Sequence, residues 1–475
     1  MSPADHALSA GHSLTAGVAG LVHDTTDQDI PPEAREAARR ALLDTVGVAL
    51  AGSGEECVRI LRDVLAPDTP PDGGATLLGS GRCGSALDAA QLNATAAHAL
   101  DFDDTHAAIR GHPSATIVPA ALAAAELVGA GGAELITAYV LGLEAAARVG
   151  ASLGPSHARQ GFHSTATLGV LGAAAASARL LRLGPARTAT ALGIAASSAA
   201  GLRLNFGYMT KPLHAGNAAR AGLLAALLAR RGFTATPSVL DGERGFTAVF
   251  SPGDGDPAAI GSPRATGGWQ VLDPGIAVKK YPCCNRGHRA ADAILTLVRR
   301  HGFGAADVDR IEVRMPAGEV DAAGRVGPMT YPAPVTGLQA KFSMQYVLAA
   351  AVLDGGLGID AFTDGQVARP RARRLLARVR PVADPDRPAA DPELNYVEVV
   401  VRLVDGPELT ERVHFSRGDP RGGLPLSAAD LAEKYRDCAG TVLPAGQVAR
   451  SLELFGVLDG LPDVRPLTGL LGGSL

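Results

Sequence analysis

Apolar and small residues dominate the first 250 positions, in long runs whose spacing is typical of helices rather than strands. The runs predict helices over 31–52, 85–100, 116–130, 133–153, 164–183, 186–201 and 214–232. Several of these runs are apolar on nearly every face, as expected of helices at the centre of a large bundle. The run 31–52 begins with prolines and ends on Gly52, the usual start and stop signals. Since no repeated strand alternation occurs in this half, we expect it to be helical.

The pattern changes after about residue 270. Residues 310–316 alternate apolar and charged side chains, which predicts a half-buried strand. Residues 395–415 predict two strands around an Asp-Gly turn. Further helices are predicted at 287–301, 338–354, 366–377, 427–441 and 446–457. The strands and the first three of these helices predict an α+β unit, after which the tail returns to helix at 427–441 and 446–457. The Gly- and Pro-rich stretch 251–268 is a candidate boundary before the unit.

Composition narrows the class of protein. At 475 residues the chain exceeds the size of most single cores, so two domains are expected. Aromatic residues make up only 4%, and a core built from Ala, Leu and Val favours closely packed helices. With a net charge of −4 and no cluster of Lys and Arg, neither nucleic acid nor an anionic membrane is an expected partner.

Cysteine usage and the termini predict a cytoplasmic protein. Five cysteines in a chain of this length do not resemble a disulfide framework, and none forms a CxxC pair. The first residues lack a basic segment followed by an apolar one, so no signal peptide is predicted. The apolar run 167–184 is interrupted by Arg179 and Arg182 and indicates a buried helix rather than a membrane span.

A cluster of charge at 98–112 precedes an almost wholly apolar run. If 98–106 is helical, Asp101 and Thr105 share one face. Gly111 and Pro113 then break the helix, and Ser114 or Thr116 is a candidate cap for the next one. That places His112 at a helix entrance, where anions bind well. The alternative is a capped helical turn whose acids are merely solvated.

Four later stretches also place polar groups in apolar surroundings. The candidate residues in them are His163, Lys211, His214, Lys280, Cys284, Arg286 and His288. Each taken alone has an ordinary alternative, such as a half-buried core histidine, a surface lysine at a turn or a small buried thiol. Lys341, at the head of a predicted helix, is expected to be an ordinary basic residue.

No metal or cofactor is predicted. The Asp101–Asp104 spacing lacks the Gly and Glu of a calcium loop. No Walker A, GxGxxG, HExxH or GxSxG motif occurs. A site of His, Asp, Lys and Thr suits proton abstraction next to a carboxylate. Cations hold the substrate's carboxylates and stabilise enolate-like charge, while a His or Asp moves the proton.

These stretches resemble the MmgE/PrpD family, which includes 2-methylcitrate dehydratase and cis-aconitate decarboxylase. Six matches occur in family order between residues 98 and 346: "HALDFDDTH", "GHPSATIVPA", "GFHSTATLGVLGAAAA", "MTKPLHAGNAARAGLLAALLARRGFT", "KKYPCCNRGH" and "AKFSMQY". "LLDTVGVALAG" and "EKYRDCAG" extend the resemblance toward both ends. It implies a mainly α homodimer whose large all-helical domain, 1–268, is rejoined by 416–475, with an inserted smaller α+β lid domain at 269–415.

The resemblance also implies site residues in a cleft between the two domains. Those of the decarboxylase branch fall on Asp101, Thr105, His112, His163 and Lys211. Where that branch has a histidine after the lid's "Pro-x", this chain has Cys284, which puts cis-aconitate decarboxylation specifically in question. His288 matches a histidine found widely in the family.

We expect a cofactor-independent lyase, either a dehydratase or a decarboxylase, acting on a small di- or tricarboxylate. In this hypothesis His112, His163 and Lys211 hold carboxylates, while Asp101 orients a histidine or acts as base. Cys284 or His288 would transfer a proton, with Lys280, Arg286, His214 and Thr105 binding substrate. An epimerase or isomerase of a dicarboxylate is the first alternative, and a catalytically silent helical dimer that binds a ligand is the second.

Overall fold

The computed structural model describes residues 13–65, 74–261, 268–321, 323, 325–388, 391 and 393–473. The first twelve residues, on which the signal-peptide prediction rests, and residues 262–267 of the Gly- and Pro-rich stretch 251–268 therefore lie outside the described residues.

The first part of the chain is helical, as the apolar runs predict. Its helices are α1 Leu14–Asp24, α2 Pro32–Gly52, α3 Glu56–Leu65, α4 Ala86–Ala99, α5 Ser114–Val128, α6 Gly132–Ser152, α7 Ser156–Arg159, α8 Ser164–Leu180, α9 Pro185–Ala196, α10 Thr210–Arg230 and α11 Phe246–Phe250. Helix α2 starts at a proline followed by Glu33, and α5 ends at Gly129 in the left-handed conformation. The sequence did not predict α1, α3 or a small hairpin of β1 Ala75–Leu77 and β2 Arg82–Gly84.

Small residues allow these helices to approach closely. A side chain on Gly142 of α6 would lie 2.7 Å from the carbonyl oxygen of Gly172 in α8. On α10, a side chain at Gly222 would lie 2.5 Å from Ala173. Such contacts leave no room for a Cβ, which explains why glycine occupies these two positions. Around them the core is built mostly from buried Ala, Leu and Val side chains, which pack closely between the helices.

The later part of the chain has mixed structure, as predicted. Its elements are β4 Ile276–Ala277, α12 His288–His301, β5 Val308–Ala317, α13 Gly337–Ala340, α14 Met344–Asp354, α15 Asp364–Ala368, α16 Pro370–Leu376, β6 Val379–Pro388, β7 Val397–Leu403 and β8 Glu408–Val413. Strand β4 pairs with the short strand β3 Thr105–His106 of the helical part. Four of the strands form one sheet in the order β6-β5-β7-β8. Strands β5 and β6 run parallel, while the other neighbours are antiparallel. Helices α12 and α14 bury Ile294 and Val347 in the same core as Val313 of the sheet.

Three helices close the chain: α17 Ala428–Ala439, α18 Ala445–Gly456 and α19 Arg465–Gly472. Their buried residues Tyr435, Phe455 and Leu471 belong to the core of the first helices rather than to that of the four-stranded sheet. The protein is therefore mainly α, as predicted.

Among the described residues, one helix, Gly132–Ser152, is long and apolar enough to cross a membrane. Its most apolar window is 94% buried inside the protein, as in a core helix of a folded domain.

Candidate active site

The loop after α4 places Asp101 in a strained conformation. The condition under which Asp101 and Thr105 would share a helix face is not met, because α4 ends at Ala99 and Asp101 has a φ of 52°. A non-glycine residue adopts this left-handed conformation only where its surroundings hold it there. The Asp101 carboxylate lies 2.6 Å from the Lys211 ammonium and 3.3 Å from that of Lys279. Tertiary contacts, not local propensity, therefore determine the path of this loop.

Three consecutive backbone carbonyls of the loop each accept a hydrogen bond from a different buried lysine. Lys341 donates to Leu100, at 3.0 Å. Lys279 donates to Asp101, at 2.7 Å, and Lys434 donates to Phe102, at 2.9 Å. The expectation that Lys341 is an ordinary basic residue is thus wrong, because it is only 3% exposed and burial lowers its pKa to about 8. We call residues 100–102 the lysine-bound turn.

Behind Asp101, two histidines share one carboxylate. His98 Nδ1 bonds Asp103 Oδ2 at 2.7 Å, and His112 Nδ1 lies 3.4 Å from the same oxygen. His112 Nε2 is 3.9 Å from Asp101 Oδ1. A carboxylate beside Nδ1 favours a proton on that nitrogen and leaves Nε2 free to accept one. Asp103 is therefore placed to orient His112.

The next turn of the chain is anchored on serine and threonine groups. Ser114 donates its hydroxyl to Asp104 instead of capping α5, whose first residue follows Pro113 without a side-chain cap. Thr116 also does not cap α5, since its hydroxyl donates back to the Pro113 carbonyl. The His112 backbone N–H donates to Thr165 Oγ1 at 3.1 Å. These contacts place His112 just before α5, as predicted, but with different capping.

His163 and Lys211 form an adjacent part of the site. His163 immediately precedes α8 without a side-chain hydrogen bond to the helix, and its Nδ1 lies 3.1 Å from Nδ1 of His214 on α10. The Phe206 ring lies 4.8 Å from the His163 ring and 5.5 Å from the Lys211 ammonium. Lys211 lies in the first turn of α10, inside the helix rather than ahead of it.

These groups open onto a cleft of about 740 Å³ between the helical core and the α+β part. Most of the predicted site residues line it, namely Asp101, Thr105, His112, His163, Lys211, Cys284 and Arg286. The structure thus brings predicted residues from four separate stretches of the sequence to one cavity.

Three other predicted residues do not line this cleft. His214 lies behind His163, and Lys280 is half-buried elsewhere while its neighbour Lys279 contacts Asp101. His288 is 1% exposed, with its Nε2 3.2 Å from the Cys283 carbonyl and its ring against Tyr281. The structure therefore provides no direct route from His288 to a molecule in the cleft.

Sequence reasoning also missed several groups of the site. Lys279 and Lys280 are adjacent in an extended segment, where neighbouring side chains point in opposite directions, and the sequence does not say which one faces the site. His98 was visible in the charged cluster, and Arg203 lines the cleft outside the predicted set. Phe206 and Phe342 flank Lys211, with their ring centroids 5.5 and 5.3 Å from its ammonium.

Burial and charge set the protonation of the site. Burial lowers the pKa of His98, His112 and His163 below the usual value, so their imidazoles are neutral near pH 7. Burial alone would raise the pKa of Asp101, but the charges of Lys211 and Lys279 hold it well below its usual range. Asp101 is therefore ionised and a weak base, which argues against the predicted option that it removes a proton.

The residues His98, Asp101, Asp103 and His112 are also of metal-ligand type, with ligand atoms within 4.8 Å of one another. Two ammonium groups already lie on the Asp101 carboxylate, at the positions that a cation would take. A divalent ion bound to that carboxylate would lie close to both positive charges. The arrangement is thus better suited to ammonium–carboxylate pairing than to a metal.

Comparisons with known proteins identify the family of this chain. The MmgE/PrpD N-terminal domain model matches residues 17–258, and the C-terminal domain model matches 281–459. The chain is 32% identical to a cis-aconitate decarboxylase of Homo sapiens, over 97% of this chain and 95% of the relative. It is 28% identical to a cis-aconitate decarboxylase of Aspergillus terreus, over 98% and 96%. A 2-methylcitrate dehydratase of Cupriavidus necator is 28% identical over 85% of both chains. The chain belongs to the MmgE/PrpD family.

Proposed function

We propose that this protein is a cofactor-independent lyase that removes CO₂ or water from a small di- or tricarboxylate. The observation that carries the proposal is the Lys211–Asp101 pair at the wall of a cleft, next to the neutral imidazoles of His112 and His163. Such a set binds carboxylates and stabilises negative charge that develops on a substrate. The names of the relatives, a decarboxylase and a dehydratase of polycarboxylates, support the same class of reaction.

Substrate binding follows from the fixed cation. Asp101 holds the Lys211 ammonium at 2.6 Å, and Phe206 and Phe342 flank it, so the charge is positioned before substrate arrives. A carboxylate that enters the cleft would pair with Lys211 and accept hydrogen bonds from His163 and Thr105. Because the Asp101 carboxylate also pairs with the Lys279 ammonium, its negative charge is offset and does not repel the substrate.

Decarboxylation of an unsaturated tricarboxylate such as cis-aconitate is the first candidate reaction. The bond between the departing carboxylate and its carbon breaks, and the electron pair shifts the neighbouring double bond. The carbon at the far end of that double bond then becomes enolate-like and takes up one proton. One substrate and one proton thus yield CO₂ and one dicarboxylate. In the dehydration alternative, Nε2 of His112 removes a proton next to a carboxylate, the electron pair of that C–H bond forms the double bond, and the C–O bond breaks. The hydroxyl group takes up one proton from an acid at the cleft and leaves as water, so one proton is removed and one is donated.

Cys284 is our candidate proton donor on the α+β side of the cleft. Burial and the charge of Asp101 raise the pKa of its thiol, so the thiol keeps its proton near pH 7. A protonated thiol at the cleft wall could perform the transfer for which the related decarboxylases are expected to use histidine. After product release the thiolate would regain its proton from water.

The deciding experiment is incubation of the pure protein with cis-aconitate, 2-methylcitrate and related acids, followed by NMR of the products in H₂O and D₂O. His163→Ala and Lys211→Ala should abolish turnover, whereas His301→Ala, at an exposed histidine, should not. Near wild-type activity in both site variants would refute the assignment. Deuterium exchange without loss of CO₂ or water would identify an epimerase or isomerase. Thermal stabilisation without reaction would favour a ligand-binding protein.

We also propose the organisation that the family resemblance implies. The α+β part would act as a lid over the cleft, the protein would be a homodimer, and it would be cytoplasmic. The placement of Cys284 and Arg286 on the α+β side of the cleft supports the lid, because movement of that part would change the access of both groups to the substrate.

A further inference from the structure

Five arginines line the cleft, and the guanidinium groups of four of them are bound to carboxylates or backbone carbonyls of the protein. Arg286 and Arg289 lie 3.0 and 3.5 Å from the carboxylate of Glu319, and Arg421 pairs with Asp419. Arg110 is exposed and donates its guanidinium to the carbonyls of Leu153 and Gly150. The positive charge of these residues is therefore largely committed to protein groups.

Arg203 differs from that set. In the part of the chain that the structure describes, its guanidinium forms no ion pair with a carboxylate, although it lines the same cleft. Its backbone N–H donates to Gly161 and its Nη1 donates to the Ala158 carbonyl at 3.1 Å, so the residue is anchored. Burial lowers its pKa below the usual arginine value, which indicates partial loss of water around the charge.

The position of Arg203 relates it to the catalytic cation. Its guanidinium carbon lies 5.9 Å from the centroid of the Phe206 ring, and the Lys211 ammonium lies 5.5 Å from the same centroid. Two cations around one aromatic ring, both facing a cleft, match two carboxylates of one small molecule. The planar fork of arginine suits a carboxylate that must be held rather than transformed.

We infer that Arg203 is a specificity-determining residue, which binds a second carboxylate of the substrate away from the reacting carbon. The inference rests on the proposed function and assigns one named residue to the substrate carboxylate that does not react. Arg203 would contribute equally to binding of substrate and transition state, so its loss should change KM rather than kcat.

The test compares Arg203→Gln with wild type on the polycarboxylate that the wild type turns over. A charged hydrogen bond of this kind corresponds to an expected increase in KM of about 10- to 100-fold, with little change in kcat. Arg203→Lys keeps the charge without the fork and should recover part of the loss. Arg230→Gln, at an exposed arginine in the last turn of the α10 helix that carries Lys211, is the matched control and should match wild type.

A second comparison separates this inference from the proposed function. On a substrate analogue whose distal carboxylate is replaced by an amide, wild type and Arg203→Gln should become equal in KM. An unchanged KM for Arg203→Gln on the full substrate, or a loss confined to kcat, would overturn the inference while leaving the lyase assignment intact. If the wild type turns over none of the acids, it is the proposed function that has failed.

Discussion

Replacing Lys434 tests whether the lysine-bound turn depends on a distant helix. The Lys434 ammonium donates to the carbonyls of Phe102 and Lys279, both at 2.9 Å, and lies 2.7 Å from Asp44 Oδ1. The side chains of Lys434 and Asp44 are 6% and 0% exposed. In Lys434→Met, the Asp44 carboxylate would remain buried without its counterion and two carbonyls would lose their charged donor.

The expected cost follows from this geometry. Removing one partner of a buried ion pair destabilises a protein by about 3–5 kcal/mol, because the remaining group must either stay charged without a partner or bind a proton. Burial already raises the pKa of Asp44, and the loss of Lys434 would raise it further. Adding Asp44→Asn removes the unpaired charge, so the double variant should lose only the carbonyl bonds, about 1–3 kcal/mol. The matched control is Arg450→Met on α18. Its partner Glu453 is exposed, so this change should cost no more than about 0.5 kcal/mol.

Urea unfolding followed by far-UV circular dichroism measures these differences, provided that the slope of the transition is unchanged. Turnover of the folded variant should also fall, because both carbonyls lie beside the Asp101–Lys279 pair. The reasoning is refuted if Lys434→Met unfolds within about 1 kcal/mol of wild type. It is equally refuted if the double variant is no more stable than the single one.

Three further predictions concern pH, metals and the thiol. The free energy of unfolding should fall between pH 6.5 and 5. Burial lowers the pKa of His288 to about 3, so in this range only the unfolded chain binds a proton at this imidazole. The expected loss is at most about 1.4 kcal/mol per pH unit. Burial raises the pKa of Asp104 to about 7, so the folded chain binds a proton at this carboxyl in the same pH range and gains stability as the pH falls. The melting temperature of Asp104→Asn should therefore fall more steeply with decreasing pH than that of wild type. Equal slopes for the two proteins would contradict this prediction. Dialysis against EDTA should leave turnover and melting temperature unchanged, since two ammonium groups already neutralise Asp101; activity restored by a divalent metal would contradict this. Cys284→Ser should lower kcat about 100-fold or more if the thiol donates the proton. Iodoacetamide should modify the exposed Cys83 well before the buried Cys284, which mass spectrometry of the peptides measures.

The sequence predicts the helices well because their signals are local. Apolar spacing, prolines at helix starts and glycines at helix ends place α2, α4 to α6 and α12 within a few residues of their observed bounds. Strand β6 was missed because Val379–Pro388 contains three prolines and several charges, as a strand at the edge of a sheet can. Its pairing with β5 is a tertiary contact between segments far apart in the chain.

The site was predicted in composition but not in geometry. Polar residues in apolar surroundings identified Asp101, His112, His163 and Lys211, which line one cleft. The helical spacing assumed for 98–106 failed because Asp101 adopts its left-handed conformation under the influence of lysines that are over a hundred residues away. A local sequence pattern does not predict a contact between residues so far apart in the chain.

The lysine-bound turn gives a physical reason for two stretches of the family resemblance in which the sequence predicted no site residue. "AKFSMQY" contains Lys341 and "EKYRDCAG" contains Lys434, and these residues hold the carbonyls on either side of Asp101. A left-handed residue costs about 1–2 kcal/mol, which charged hydrogen bonds of about 1.5–3 kcal/mol each can offset. The carboxylate that positions Lys211 is thus fixed by the α+β part and the C-terminal helices together, so the helical segment that carries Asp101 is not sufficient to form the site.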